Sequence, residues 1–153
     1  MKITDFLTPE AVIPALKGQS KADVLNELAQ CLSKRLSGLS ASDLAAVLAE
    51  RERLGSTAIG DGIAIPHGKL AGVADITGAF GRHGAGMDFE SLDGNPTHLF
   101  FVLVAPEDST SLHLKALARV SRIFRDGSFR QKLLSASEAG AIFDLIKKED
   151  EKF

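Results

Sequence analysis

Between His98 and Ala105 the chain reads HLFFVLVA, an almost unbroken apolar run of strand length with Pro106 directly after it. A strand with one wet face alternates apolar and polar residues, so a run without alternation is buried on both faces. This places it at the centre of a sheet with helices on either side. Shorter candidates accompany it. Ile63-Ala64-Ile65 reads as a short strand, residues 76 to 82 as another, and residues 10 to 17 as a short edge strand, where Pro14 is tolerated.

The helices are equally legible. Ser20 followed by Asp23 reads as an N-cap with an acid in the first turn. The helix it opens buries Val24, Leu25, Leu28, Cys31, Leu32 and Leu36 along one face. Ser40 with Asp43 repeats the capping pattern, Leu44, Val47 and Leu48 begin a second apolar face, and Gly55 falls where a helix ends. Residues 111 to 125 have helical spacing, with Ser109 or Thr110 as the cap, and Phe129 to Leu134 and Ser137 to Lys148 read as two more helices. Helices flanking both sides of a mixed sheet, an α/β fold in one domain over residues 1 to 153, fit this order. The ordered core is expected over about residues 3 to 148, and Lys147 to Lys152 read as a charged, disordered tail.

Composition removes several classes of function. A formal net charge of -2 supplies no field to attract polyanions, so no nucleic-acid partner is expected. No apolar run approaches the roughly 20 residues that span a bilayer, and Asp5 and Pro9 interrupt any signal-peptide pattern after Lys2. The single cysteine, Cys31, lies within a helical apolar stripe and reads as a small core residue in a reducing compartment. A cytoplasmic protein without membrane insertion is the expectation. Lys69 is followed by Leu70, so no P-loop is present, and the glycines do not match dinucleotide-binding spacing. There is no Gly-x-Ser-x-Gly elbow and no histidine pair with zinc-ligand spacing.

Three polar residues stand where the pattern calls for something else. Continuing the face of Leu44, Val47 and Leu48 leads to Arg51 and Gly55. An arginine there either snorkels to solvent or aims its planar fork at an anion in a cleft. His113 shares a stripe with Leu117, Val120 and Phe124, which suits a hydrogen-bonded core histidine. It also lies in a first helical turn, where unpaired N–H groups favour anions. His67 keeps the parity of Ile63 and Ile65, Pro66 is expected to end the strand there, and Gly68 permits a tight turn with close approach. An imidazole at a strand end is well placed for chemistry. His83, in a glycine-rich stretch, reads as solvated, and His98 opens a strand beside Pro96.

The segment Arg51-Glu52-Arg53-Leu54-Gly55-Ser56-Thr57-Ala58-Ile59-Gly60-Asp61-Gly62-Ile63-Ala64-Ile65-Pro66-His67-Gly68-Lys69 strongly resembles the active-site segment of the mannitol/fructose-type IIA family of the bacterial phosphotransferase system. Among its branches the chain looks most like the nitrogen-regulatory IIA proteins. Ala58 stands where many members have glycine. The resemblance covers essentially one domain and implies a phosphotransferase component that needs no cofactor or metal. It implies His67 as the phosphorylated nucleophile, with His113 and Arg51 as its active-site partners. Ser56, Thr57 and Gly68 are expected as supporting residues. It further implies an HPr-like phosphocarrier as donor and regulated partner proteins such as potassium-transport or sensor-kinase components. Two other readings stay open: a sugar-specific IIA that hands phosphate to a IIB domain, and a module that binds anions or partners without transfer.

Overall fold

The computed structural model describes residues 1–153, and its architecture grows outward from the apolar run. Strand β6 (Thr97–Ala105) is buried on both faces along all but His98. Its antiparallel neighbour is β5 (Thr77–Met87), in register Phe80 opposite Phe101. On the other side β3 (Ile63–Ala64) and β4 (His67–Lys69) run parallel to β6, β3 pairing Leu99 and Phe100 and β4 pairing Leu103 to Ala105. The short β1 (Val12–Ile13) lies parallel at the β5 edge, and β2 (Ala58–Gly60) closes the other edge against β3. The mixed sheet thus has β6 at its middle, as its composition requires.

Helices α1 (Lys21–Ser33) and α2 (Ala41–Arg53) pack on each other and against β5 and β4. Helices α3 (Thr110–Ile123), α4 (Gly127–Ser135) and α5 (Ala139–Asp150) contact β6, β5 and β1, so helices flank both faces. Ser20 and Ser40 accept hydrogen bonds from the amides of Asp23 and Asp43, the two caps expected. All the buried apolar residues but Val73 form one contiguous cluster, with Cys31 and Leu36 packed at its margin. Phe101 meets Phe80, Phe6 and Phe124, and Phe100 meets Phe89 at 5.2 Å between ring centroids. Each such ring contributes about 1.5–3 kcal/mol of transfer free energy.

Four local expectations are corrected. The edge strand spans only Val12–Ile13, because Pro9–Ala11 form a 3-10 turn and Pro14 removes a ladder donor. The strand from residue 77 continues through the glycine-rich stretch to Met87, with an irregular register after Arg82. Its glycines mark close approach: a Cβ on Gly81 would lie 2.6 Å from Leu16 Cδ1, and one on Gly78 would lie 3.0 Å from Phe101. His83 is therefore buried, its Nε2 donating to the Gly18 carbonyl at 2.8 Å. Finally, the charged stretch from Lys147 is helical to Asp150, whose buried carboxylate accepts the Ile3 amide at 2.8 Å and Arg119 Nε at 2.6 Å. Those donors make burial of the charge tolerable, and composition by itself cannot reveal them.

Candidate functional site

Strand β4 restarts the chain beside β6 after Ile65 and Pro66, so Pro66 interrupts a strand and His67 begins the next one. This corrects the expectation that His67 ends a strand. No turn follows it either, since Gly68 and Lys69 stay in β4. Gly68 lacks a side chain for a packing reason: a Cβ there would lie 2.6 Å from Val47 Cγ1 of α2. That close approach lets α2 lie against the strand and brings its cleft-facing residues to His67.

The His67 ring is half-buried and anchored at one nitrogen. Its Nδ1 lies 2.7 Å from the Ile65 carbonyl oxygen. A carbonyl only accepts, so Nδ1 carries the proton and Nε2 keeps its lone pair. Burial pushes the His67 pKa below its ordinary value, with the nearby Arg51 charge adding to the effect, while the Ile65 bond and Glu52 oppose it. At neutral pH the ring is therefore uncharged, with one nitrogen free for a lone-pair reaction.

His113, in the first turn of α3, approaches edge-to-face with 5.4 Å between ring centroids. It is 7% exposed, and its Nδ1 is enclosed without any partner. An orphaned buried N–H is costlier than an orphaned lone pair, which favours the tautomer protonated on Nε2. Burial, then the neighbouring His67 and Lys69, lower its pKa to about 4, so it too is neutral at pH 7. The two rings thus differ in character, one presenting a lone pair and the other an N–H. Ser109 is the N-cap residue of α3, one of the two expected, although its hydroxyl donates to the Pro106 carbonyl at 3.0 Å and caps no helical amide.

Arg51 lines the same cleft. Its Nη1 donates to the Gly55 carbonyl at 2.9 Å, which steadies the guanidinium and leaves its other donors unpaired. Lys69 adds a second cation that sequence reasoning passed over, its Nζ donating to Thr110 Oγ1 at 3.0 Å. The signal was its position two residues after His67 in an alternating strand, which returns it to the same sheet face. The cavity, about 460 Å³, is also walled by Val47, Leu114 and Leu117. Arg51, His113, Gly68 and His67 are therefore brought together, as the anomalies suggested.

Ser56 and Thr57 are not brought there. The Ser56 hydroxyl donates to the Phe89 carbonyl at 2.8 Å and accepts the Ala58 amide at 3.1 Å. Thr57 is 4% exposed and donates both its amide and its hydroxyl to Glu52. Neither faces the cleft, which corrects their expected direct support. Glu52, missed in the sequence, occupies the inward row of Leu44 and Leu48. The face of α2 runs on to an acid, and Arg51 turns aside toward His67.

The comparisons with known proteins fit this geometry. The family model described as "Phosphoenolpyruvate-dependent sugar phosphotransferase system, EIIA 2" matches residues 5–149. A "Nitrogen regulatory protein" of Bradyrhizobium diazoefficiens is 47% identical over 146 residues, covering 95% of each chain. The "PTS system fructose-specific EIIABC component" of Bacillus subtilis is 39% identical over 150 residues, which are 98% of this chain and 24% of that protein. The crystal structure of the nitrogen regulatory protein IIA-Ntr from Neisseria meningitidis superposes with a TM-score of 0.88 at 35% identity, covering 94% of this chain and 98% of that one. With the match spanning nearly the whole domain, including every residue of the His67 cleft, the chain belongs to the EIIA 2 family of the phosphoenolpyruvate-dependent sugar phosphotransferase system.

Proposed function

We propose that His67 accepts a phosphoryl group on Nε2 from the phosphohistidine of an HPr-like carrier, and that the resulting charge regulates partner proteins. The observation that carries this reading is the 2.7 Å bond from Nδ1 to the Ile65 carbonyl, which presents a bare Nε2 to a cleft edged by cations. The N–P bond forms at His67 Nε2 as the N–P bond on the donor ring breaks, and each ring keeps its own N–H. No net proton moves. As the phosphoryl group arrives, the His67 ring becomes more positive, and the Ile65 carbonyl bond strengthens in the transition state, which is the condition for rate enhancement.

Arg51 and the His113 Nε2–H offer donors to the equatorial oxygens, with Lys69 adding positive potential. Phosphorylation replaces a neutral ring surface with a dianionic group, enough to rewrite an interface. Similarity to nitrogen regulatory proteins supports a regulatory role, and the partners this reading assigns are cytoplasmic potassium-transport or sensor-kinase components. A second reading, onward transfer to a IIB domain, is supported by the similarity to a fructose-specific EIIABC protein.

The test is incubation with phosphoenolpyruvate, enzyme I and an HPr-like carrier, followed by intact-mass measurement and site mapping. One acid-labile phosphoryl group on His67, absent in His67→Ala, is expected. Phosphate on another residue, or none with an active carrier, refutes the reading, the latter in favour of a non-transferring binding module. Rapid discharge onto a IIB domain selects the second reading.

A further inference from the structure

We infer that Glu52 is a positioning residue for transfer at His67, holding the imidazole's tautomer and orientation through Thr57 and Ile65. The inference rests on His67 being the phosphoryl acceptor.

Glu52 is 7% exposed, one turn beyond Leu48 on the inward row of α2. A carboxylate withdrawn from water persists only where donors surround it. Here the donors are the Thr57 amide at 3.0 Å, the Thr57 hydroxyl at 2.5 Å and Lys21 Nζ at 2.7 Å. Lys21 is itself held by Glu90 at 3.2 Å and lies 5.0 Å above the centre of the Phe89 ring. The carboxylate thus pins Thr57 at two atoms.

From Thr57 the path to the histidine is short. The Thr57 carbonyl accepts the Ile65 amide at 3.0 Å, and the Ile65 carbonyl accepts His67 Nδ1–H at 2.7 Å. Thr57 and Ile65 are both buried, so no link exchanges freely with water. The same loop supplies the Gly55 carbonyl that holds Arg51. Glu52 therefore sets both sides of the cleft without reaching into it.

A neutral amide cannot replace it. All three neighbours of the carboxylate donate, whereas glutamine has one acceptor oxygen and must turn its own NH₂ toward a donor. Loosening Thr57 frees the Ile65 carbonyl to rotate, and the His67 proton is then shared between the two nitrogens. A ring protonated on Nε2 has no lone pair in the cleft.

The experiment compares wild type, Glu52→Gln, Thr57→Val and, as a control, Glu149→Gln, which alters an equally buried carboxylate paired with Lys152 at 3.0 Å. Nitrogen-15 spectra of the unphosphorylated proteins report the His67 tautomer, and the rate of phosphate uptake from a phosphorylated carrier reports transfer. Both are read well below the unfolding transition. Wild type and Glu149→Gln are expected to show Nδ1–H alone and equal rates. Glu52→Gln is expected to show mixed tautomers and a rate at least about tenfold lower, since displacement by ~1 Å costs ~100-fold. A Glu52→Gln protein with Nδ1–H alone and a rate within twofold of wild type overturns the inference, as does the same defect in Glu149→Gln. Should Glu52→Gln not fold, Thr57→Val decides by the same two readings. If wild type takes up no phosphate, the acceptor reading fails, and the tautomer comparison still decides the role of Glu52.

Discussion

Replacing Gly68 with alanine tests whether the cleft depends on how closely α2 approaches β4. The added Cβ lies 2.6 Å from Val47 Cγ1, nearly 1 Å inside ordinary carbon–carbon contact. Two effects compete. Gly→Ala in a strand ordinarily stabilises by about 0.4–1 kcal/mol through the unfolded chain. Overpacking a close contact costs about 1–3 kcal/mol. Val47 is β-branched in a helix, so its χ1 has no comfortable alternative and the helix itself has to yield. A net loss of about 1–2 kcal/mol is therefore expected from urea unfolding followed by circular dichroism, with an unchanged dependence on urea concentration. Arg51 stands one turn beyond Val47 on the cleft side of α2, so it shares the displacement. Phosphate uptake should slow by about 10- to 100-fold. Val47→Ala in the same chain removes the colliding methyl and should restore most of both losses, a coupling visible in a double-mutant cycle. A Gly68→Ala protein as stable and as fast as wild type, or one that Val47→Ala does not rescue, refutes the reasoning.

Two further outcomes follow from the electrostatics. Because burial lowers the His67 pKa and only the neutral ring has a lone pair to offer, its NMR titration should show a midpoint below the 6.5 of a free imidazole. Phosphate acceptance should accordingly persist as pH falls through that value, and a midpoint above it would contradict the buried, Arg51-flanked ring. Asp150→Asn should destabilise by about 3 kcal/mol, because it strips the partner from Arg119 and weakens the anchor of the Ile3 amide. Uptake of phosphate at His67 should be unaffected, with urea midpoints and initial rates as the measurements; an unchanged midpoint would restore the view of a disordered tail.

What could be read along the chain was whatever depends on neighbours in sequence. The central place of β6 follows from seven buried residues in a row, Leu99 to Ala105, since no alternation can leave one face wet. The caps at Ser20 and Ser40 follow from contacts three residues long. His67, His113 and Arg51 stood out because each broke an apolar rhythm, and the family signature tied them together. Tertiary structure alone decided what depends on distant partners. The glycine-rich stretch after Arg82 read as loop because the bareness of Gly86 is explained only by the His98 ring, 2.6 Å from where a Cβ would stand. Ser56 and Thr57 seemed ready for a phosphate, yet their bonds are taken by Phe89 and Glu52. Asp150 read as part of a solvated tail until Ile3, 147 residues away, supplied its donor. A side chain's type is local, but the cost of burying it depends on donors and volumes that the fold brings from elsewhere.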